Sequence, residues 1–252
     1  MFKAVPLIAC ALAVSTASSG IYEVDSFHLG GFYAAPEMAP PLIPDNDPVF
    51  QNYFMGHTTV SGFTTTERRT FFAFDLSGIL IPDGEEIVSA TFTVELLFGG
   101  VIANFTGGVE HVSFTSTSSS YDAIADPMGA GMAPEEIFDT LGTGTEYTGF
   151  DIVDMGTPPG LYSLDMTPTA LGDIEASMDM DEIFVMSGKL DTYDPAMAAA
   201  FEFVFGLSDV VTGGMPSGMP VPKLTIETAP IPAPSGLALL GIAGALGTRR
   251  RR

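Results

Sequence analysis

The sequence predicts an all-β protein: an antiparallel β-sandwich with one short helix, a signal peptide before it and a C-terminal hydrophobic helix after it. Three observations carry this. Nineteen phenylalanines fall mostly in short runs that alternate apolar and polar residues, the period of a half-buried strand. Twenty-eight glycines and nineteen prolines punctuate those runs with turn signals. Only one stretch has apolar residues at helical spacing. The chain divides into residues 1–19, a body of 20–229 long enough for one substantial core, and a segment of 230–252.

At the N-terminus Lys3 supplies one positive charge, Ala4–Val14 is apolar and Ser15–Ser19 offers small residues for cleavage. That is the layout of a secretory signal peptide. Leu7-Ile8-Ala9-Cys10 has the look of a lipoprotein box, but Cys10 comes early and apolar residues continue past it. Cys10 is the only cysteine, so the mature chain forms no disulfide and its stability rests on core, metal or oligomerisation.

The strands follow in order. Arg69–Leu76 alternates, with Phe72, Phe74 and Leu76 facing one way. Pro82-Asp83-Gly84 is a turn, and after it Val88, Ala90, Phe92, Val94 and Leu96 share one face of the clearest strand, with Ser89, Thr91, Thr93 and Glu95 on the other. Further strands are expected at Val109–Thr115, Leu161–Met166, Glu182–Ser187, Ala199–Gly206 and Lys223–Thr228. Phe201, Phe203 and Phe205 share one side of the penultimate strand, and Leu224 and Ile226 point inward from the last. The one helix spans 168–178: Thr167 caps it, Pro168 suits its first position, and Leu171, Ile174 and Met178 recur at helical spacing. Residues 116–133, 142–148 and 212–220 read as loops. Many short strands with one short helix indicate a sandwich.

Charge narrows the partners. Once Lys3 and Arg249–Arg252 are set aside with the terminal segments, Arg68, Arg69, Lys189 and Lys223 face 31 acidic residues, leaving the body at −27. Phosphate binding needs a basic face, so nucleic acid is excluded. The excess fits either a saline environment that screens the repulsion or carboxylates that collect Ca²⁺. Arg68 and Arg69 are expected to pair with neighbouring carboxylates such as Glu67 or Asp75.

Catalytic chemistry is scarce. His28, His57 and His111 lie far apart and outside zinc-binding spacings, which makes them ordinary polar residues. No G-x-S-x-G elbow occurs, and 31 acids produce carboxylate pairs by chance. The densest acidic sites, Asp45 with Asp47 and Asp179 with Asp181 and Glu182, are the candidate Ca²⁺ ligands, although neither forms an EF-hand loop. Tyr53 and Tyr121, with Tyr33 and Tyr147, are candidates for a flat aromatic face that could hold a sugar.

The last 23 residues read as an address. Pro230-Ile231-Pro232-Ala233-Pro234 forms a hinge, Gly236–Gly247 is apolar and uncharged, and Arg249–Arg252 closes the chain. A full span needs ~20 apolar residues, so this run is short, and the arginines hold its end on the cytoplasmic side. The segment resembles the PEP-CTERM sorting signal of bacteria, which is read by exosortase, a membrane-embedded cysteine transpeptidase. The resemblance covers Ile231, Pro232, Ala233, Pro234, the apolar run and Arg249, Arg250, Arg251 and Arg252. The usual glutamate between the prolines is Ala233 here. The resemblance implies passage through the Sec translocon, transient membrane association, cleavage near the prolines, and release or attachment at the cell surface.

The body is similar to a second family, the DNRLRE-type jelly-roll domains related to carbohydrate-binding modules. Asn52–Gly56, Glu67–Ser77, Ile87–Val94, Tyr162–Thr167 and Pro222–Ile226 carry that likeness in order, although the tryptophans of the family are missing. The expected function is a non-enzymatic, exported cell-surface or extracellular-matrix protein sorted by an exosortase-type system. The alternative is a carbohydrate-binding module acting on exopolysaccharide.

Overall fold

A computed structural model describes residues 19–34, 51–59, 65–96, 101–102, 109–153, 160–191, 201–208 and 220–231. The first half holds β1 (Ile21–Asp25), β2 (His28–Ala34), β3 (Gln51–Thr59), β4 (Thr65–Phe74), β5 (Glu85–Leu96), β6 (Val101–Ile102) and β7 (Val109–Ser116). Then come α1 (Tyr121–Ala125), α2 (Pro134–Thr140), β8 (Glu146–Val153), β9 (Gly160–Asp165), α3 (Pro168–Met180), β10 (Phe184–Leu190), β11 (Phe201–Ser208) and β12 (Lys223–Pro230). They build an antiparallel β-sandwich. One sheet has four strands in the order β1-β12-β5-β9, and the other has eight, running β6-β11-β3-β4-β10-β7-β8 with β2 also on β4.

The larger sheet branches at β4. β2 lies along one edge of it, and β3 and β10 share the other, β3 against residues 65–68 and β10 against 70–74. Gly188 permits the junction: a Cβ there would come 2.5 Å from the Met55 sulfur.

The core between the sheets is aromatic. Phe92 of β5 meets Phe72 and Phe114 of the larger sheet with ring centroids 5.1 and 4.9 Å apart, and Phe74 at 6.2 Å, all edge to face. The expected inward faces 72/74/76, 90/92/94 and 224/226 are all buried. Val88 is not: it is 47 % exposed, and Ile87 takes its place in the core. The β12 register explains the correction. It steps from Glu227↔Ser89 to Thr228↔Ile87, so Val88 is the extra residue of a β-bulge, and a bulge inverts the alternation beyond it. The side chains of Phe201, Phe203 and Phe205 lie outside the described residues.

The expectation of a single helix is also corrected. The helix at 168–178 is present as α3, with Thr167 accepting from the Ala170 N–H at 3.4 Å and Asp181 closing it at φ 55°. Two shorter helices accompany it. α1 sits within the expected 116–133 loop and is capped by Ser120. α2 starts on Pro134, with the Glu136 carboxylate accepting from the Ala133 N–H at 3.0 Å. Both cover the outer face of the larger sheet, where Phe32, Phe71, Ala123, Ile124, Ile137, Phe138 and Leu141 form a second cluster. Helices this short are not stable alone. Burial of their apolar residues and the caps hold them. The 142–148 loop is shorter than expected because β8 begins at Glu146.

Arg69 ties this second layer to the sheet. Its Nε–H donates to Glu67 at 2.8 Å, and one terminal nitrogen donates to the carbonyls of Phe138 and Leu141 at 3.1 and 2.9 Å. The guanidinium also lies 4.2 Å from the Phe138 ring centroid. One side chain thereby satisfies carbonyls left open at the end of α2. Asp75, the other expected carboxylate, instead accepts from the Ser77 N–H and hydroxyl, and Arg68 stacks over Phe54 at 4.7 Å. Among the described residues no helix is long and apolar enough to cross a membrane.

Candidate functional site

A cleft of about 610 Å³ opens at one end of the larger sheet. The 116–122 segment leaving β7 forms one wall, the far half of α3 forms the other, and Phe184 and Val185 close the floor. The leaving segment is Ser-Thr-Ser-Ser-Ser-Tyr-Asp, and its hydroxyls are organised rather than loose. Ser119 and Thr117 reach the Thr140 hydroxyl at 2.8 and 3.2 Å, and Thr140 in turn donates to the Ile137 carbonyl. The wall is thus pinned to α2.

Tyr147 enters from β8 and donates its hydroxyl to the Asp173 carboxylate of α3 at 2.5 Å. Burial and then that carboxylate push the phenol well above its usual range, so it remains a donor at any physiological pH. Tyr121 lies across the mouth, edge-on to Phe27 at 5.2 Å, with its hydroxyl 3.0 Å from His28 Nδ1. Burial, helped by Asp122, raises this phenol as well. Among the described residues, Asp122, Asp173, Asp181 and Glu182 supply all the charge of the lining, and no cationic side chain lines it. Such a surface accepts hydrogen bonds from neutral polyhydroxylated or cationic groups and repels anions.

The residues singled out in the sequence are placed as follows. Asp181, Glu182, Tyr121 and Tyr147 line the cleft, while Asp179 is exposed on α3 and does not. Tyr53 is fully buried, its ring 5.5 Å from that of Phe72, so it presents no surface to a ligand. Tyr147 is likewise buried, and Tyr121 is wedged among Phe27 and His28, so neither offers a flat exposed ring. Ile231 is exposed and donates its N–H to the Gly84 carbonyl at 2.7 Å. Asp45, Asp47, Pro232, Ala233, Pro234 and Arg249–Arg252, with the side chains of Tyr33 and His57, lie outside the described residues.

Asp179, Asp181 and Glu182 do not bring their carboxylates together as a metal-ligating group. Among the described residues, the one group of metal-ligating type that converges is His111, Glu146 and Asp191, with one ligand atom from each lying within 4.8 Å of the others. His111 Nδ1 is 2.7 Å from Asp151, and Nε2 is 3.3 Å from Glu146. No spacing in the sequence announces this. Strand register assembles it, since His111 is opposite Asp151 on β8 and its carbonyl accepts from the Asp191 N–H at the end of β10.

The hydrogen bond to Asp151, outweighing the opposing effect of burial and aided by Glu146, raises the His111 pKa above its ordinary 6.5. A group with a raised folded-state pKa stabilises fully below its unfolded value and ceases to do so as pH rises through the folded one. In metal-free buffer, stability is therefore expected to fall as pH climbs from 6.5 through the His111 midpoint, and His111→Gln should flatten that slope. An NMR titration checks it directly, and a His111 midpoint at or below 6.5 would refute the arrangement.

No family model matches this sequence, and no similar sequence was found among curated proteins.

Proposed function

We propose that the protein is an exported, non-enzymatic cell-surface or extracellular-matrix protein sorted by an exosortase-type system. The observation that carries this reading is the fit of the folded body between the two address segments. β1 begins at Ile21, just past the 1–19 leader, and β12 ends at Pro230, where the hinge starts. The two ends are stitched together: Gly20 N–H donates to Thr228 Oγ1 at 3.1 Å, and Thr228 N–H donates to the Gly20 carbonyl at 2.9 Å. Removing the leader before Gly20 and the tail after Ile231 would cost the sandwich none of the strands described above. The body is also read as jelly-roll-like, because the segments that carry that likeness are β3, β4, β5, β9 and β12, divided between the two sheets.

Mass spectrometry of the cell-surface fraction of the native host tests the proposal. The mature protein is expected to end near Pro232–Pro234 and to lack Arg249–Arg252. Replacing those four arginines with serine should weaken membrane retention and misroute the precursor, because they hold the topological stop. Intact C-termini on mature surface protein would overturn the sorting assignment. The alternative, a module that binds exopolysaccharide, draws support from the hydroxyl- and carboxylate-lined cleft. The same fraction tests it, since a saccharide-bound protein stays with the polysaccharide at high salt and a merely co-sorted one washes free.

A further inference from the structure

We propose that His111, Glu146 and Asp191 form a binding site for a divalent transition-metal ion, Zn²⁺ being the ion that fits, with Asp151 as the positioning residue. Three neighbouring strands meet there: β7 supplies the imidazole, β8 supplies Glu146 and Asp151, and Asp191 stands at the end of β10.

The imidazole is oriented for the task. Asp151 sits 2.7 Å from Nδ1, where a carboxylate favours the proton, and Nε2 faces Glu146. A carboxylate behind the distal nitrogen is the arrangement that aims and strengthens a metal-bound histidine. A neutral imidazole so held would put its lone pair against the Glu146 carboxylate, and a cation between the two removes that repulsion. The separation agrees. Ligands about 2.0–2.1 Å from a tetrahedral Zn²⁺ lie about 3.3–3.4 Å apart, and Nε2 and Glu146 Oε1 are 3.3 Å apart.

The backbone makes room for this contact. At Gly149 a Cβ would lie 2.7 Å from the Val112 carbonyl oxygen and 2.8 Å from both Glu146 Oε1 and His111 Nε2, so glycine leaves open the space in which the two converge over β8. Lys189 is the other charged group at the site. Its stem runs over Gly142, and its ammonium holds Asp191 Oδ1 at 2.8 Å, leaving the second oxygen of that carboxylate to face an ion. The presence of a nitrogen ligand, and only three protein ligands in all, favours a borderline ion over Ca²⁺, which takes 6–8 oxygens. Side chains between 30 % and 49 % exposed let the ion enter from solvent. A bound ion would clamp β8, β7 and β10 together in a mature chain that has no disulfide.

The test is isothermal titration of Zn²⁺ into the purified full-length chain, with excess Ca²⁺ present to occupy hard oxygen sites on the acidic surface. One Zn²⁺ per chain is expected, together with a rise in melting temperature. His111→Gln, Glu146→Gln and Asp191→Asn should each weaken binding at least tenfold, and Asp151→Asn about tenfold through the imidazole. Lys189→Met should retain or tighten binding. Co²⁺ in place of Zn²⁺ should give the visible absorption of a tetrahedral ion, lost in His111→Gln. All these side chains are solvent-accessible, so melting in chelator should match between wild type and His111→Gln once the pH is held well above the His111 midpoint, where the imidazole no longer contributes charge. Absence of stoichiometric Zn²⁺ binding, or binding that survives His111→Gln and Glu146→Gln together, would overturn the proposal.

Discussion

Replacing Phe92 with alanine is expected to cost about 3–5 kcal/mol of folding stability, the range for emptying a large aromatic site in a packed core. Phe92 is fully buried and is the ring through which the four-stranded sheet meets Phe72, Phe74 and Phe114 of the other. Its loss removes apolar area and three edge-to-face contacts, each worth about 0.5–1.5 kcal/mol beyond that area. The strands on both sides are hydrogen-bonded into their sheets and have little freedom to collapse into the gap. Urea denaturation measures the effect, and Phe92→Leu should fall between the two. A loss under about 1 kcal/mol would mean that the sheets do not close on this ring.

Arg69→Ala should be the next most damaging change described here, at about 2–4 kcal/mol. It strands Glu67, frees two carbonyls at the end of α2 and uncovers the Phe138 ring. Arg69→Lys should rescue little, because an ammonium cannot serve a carboxylate and two carbonyls from one flat fork while stacking on a ring. Glu67→Gln keeps the acceptor and should cost less than 1 kcal/mol. Hydrogen exchange distinguishes a local from a global effect. Amides of α2 should lose protection in Arg69→Ala while those of β5 and β12 keep theirs relative to global stability. Equal loss everywhere would show that the second layer is not a separate unit.

What the sequence disclosed is what local periodicity encodes. Phe72, Phe74, Ala90, Phe92, Val94, Leu224 and Ile226 are buried as their alternation requires, and the Thr167-Pro168 start of α3 is legible because capping is a local event. Val88 misleads because a bulge depends on the partner strand, here β12, which lies more than a hundred residues away. α1 and α2 are hidden for a related reason. Five and seven residues hold too few turns to show a period, and Phe71 beneath them looks like noise in a strand whose other face is already the core. The cleft was half visible: Tyr121, Tyr147, Asp181 and Glu182 stood out, whereas Asp173 gained meaning only when α3 crossed β8. His111 gave no signal at all. Its partners are 35, 40 and 80 positions downstream, and nothing but the pairing of β7 with β8 and β10 brings them together.

The joining of the two chain ends has a mechanical consequence. β1 and β12 run antiparallel through five pairs, from Ile21↔Glu227 to Asp25↔Lys223, so both ends leave the sandwich on the same side. Tension between them would open those pairs in succession, like a zipper, and would yield at low force. Tension entering through the body and leaving through the tail meets a different geometry, because β12 must slide along β5 and break their eight pairs together. A molecule tethered by its tail would therefore hold against drag on its body, and would begin to unravel only when something pulled on its first strand.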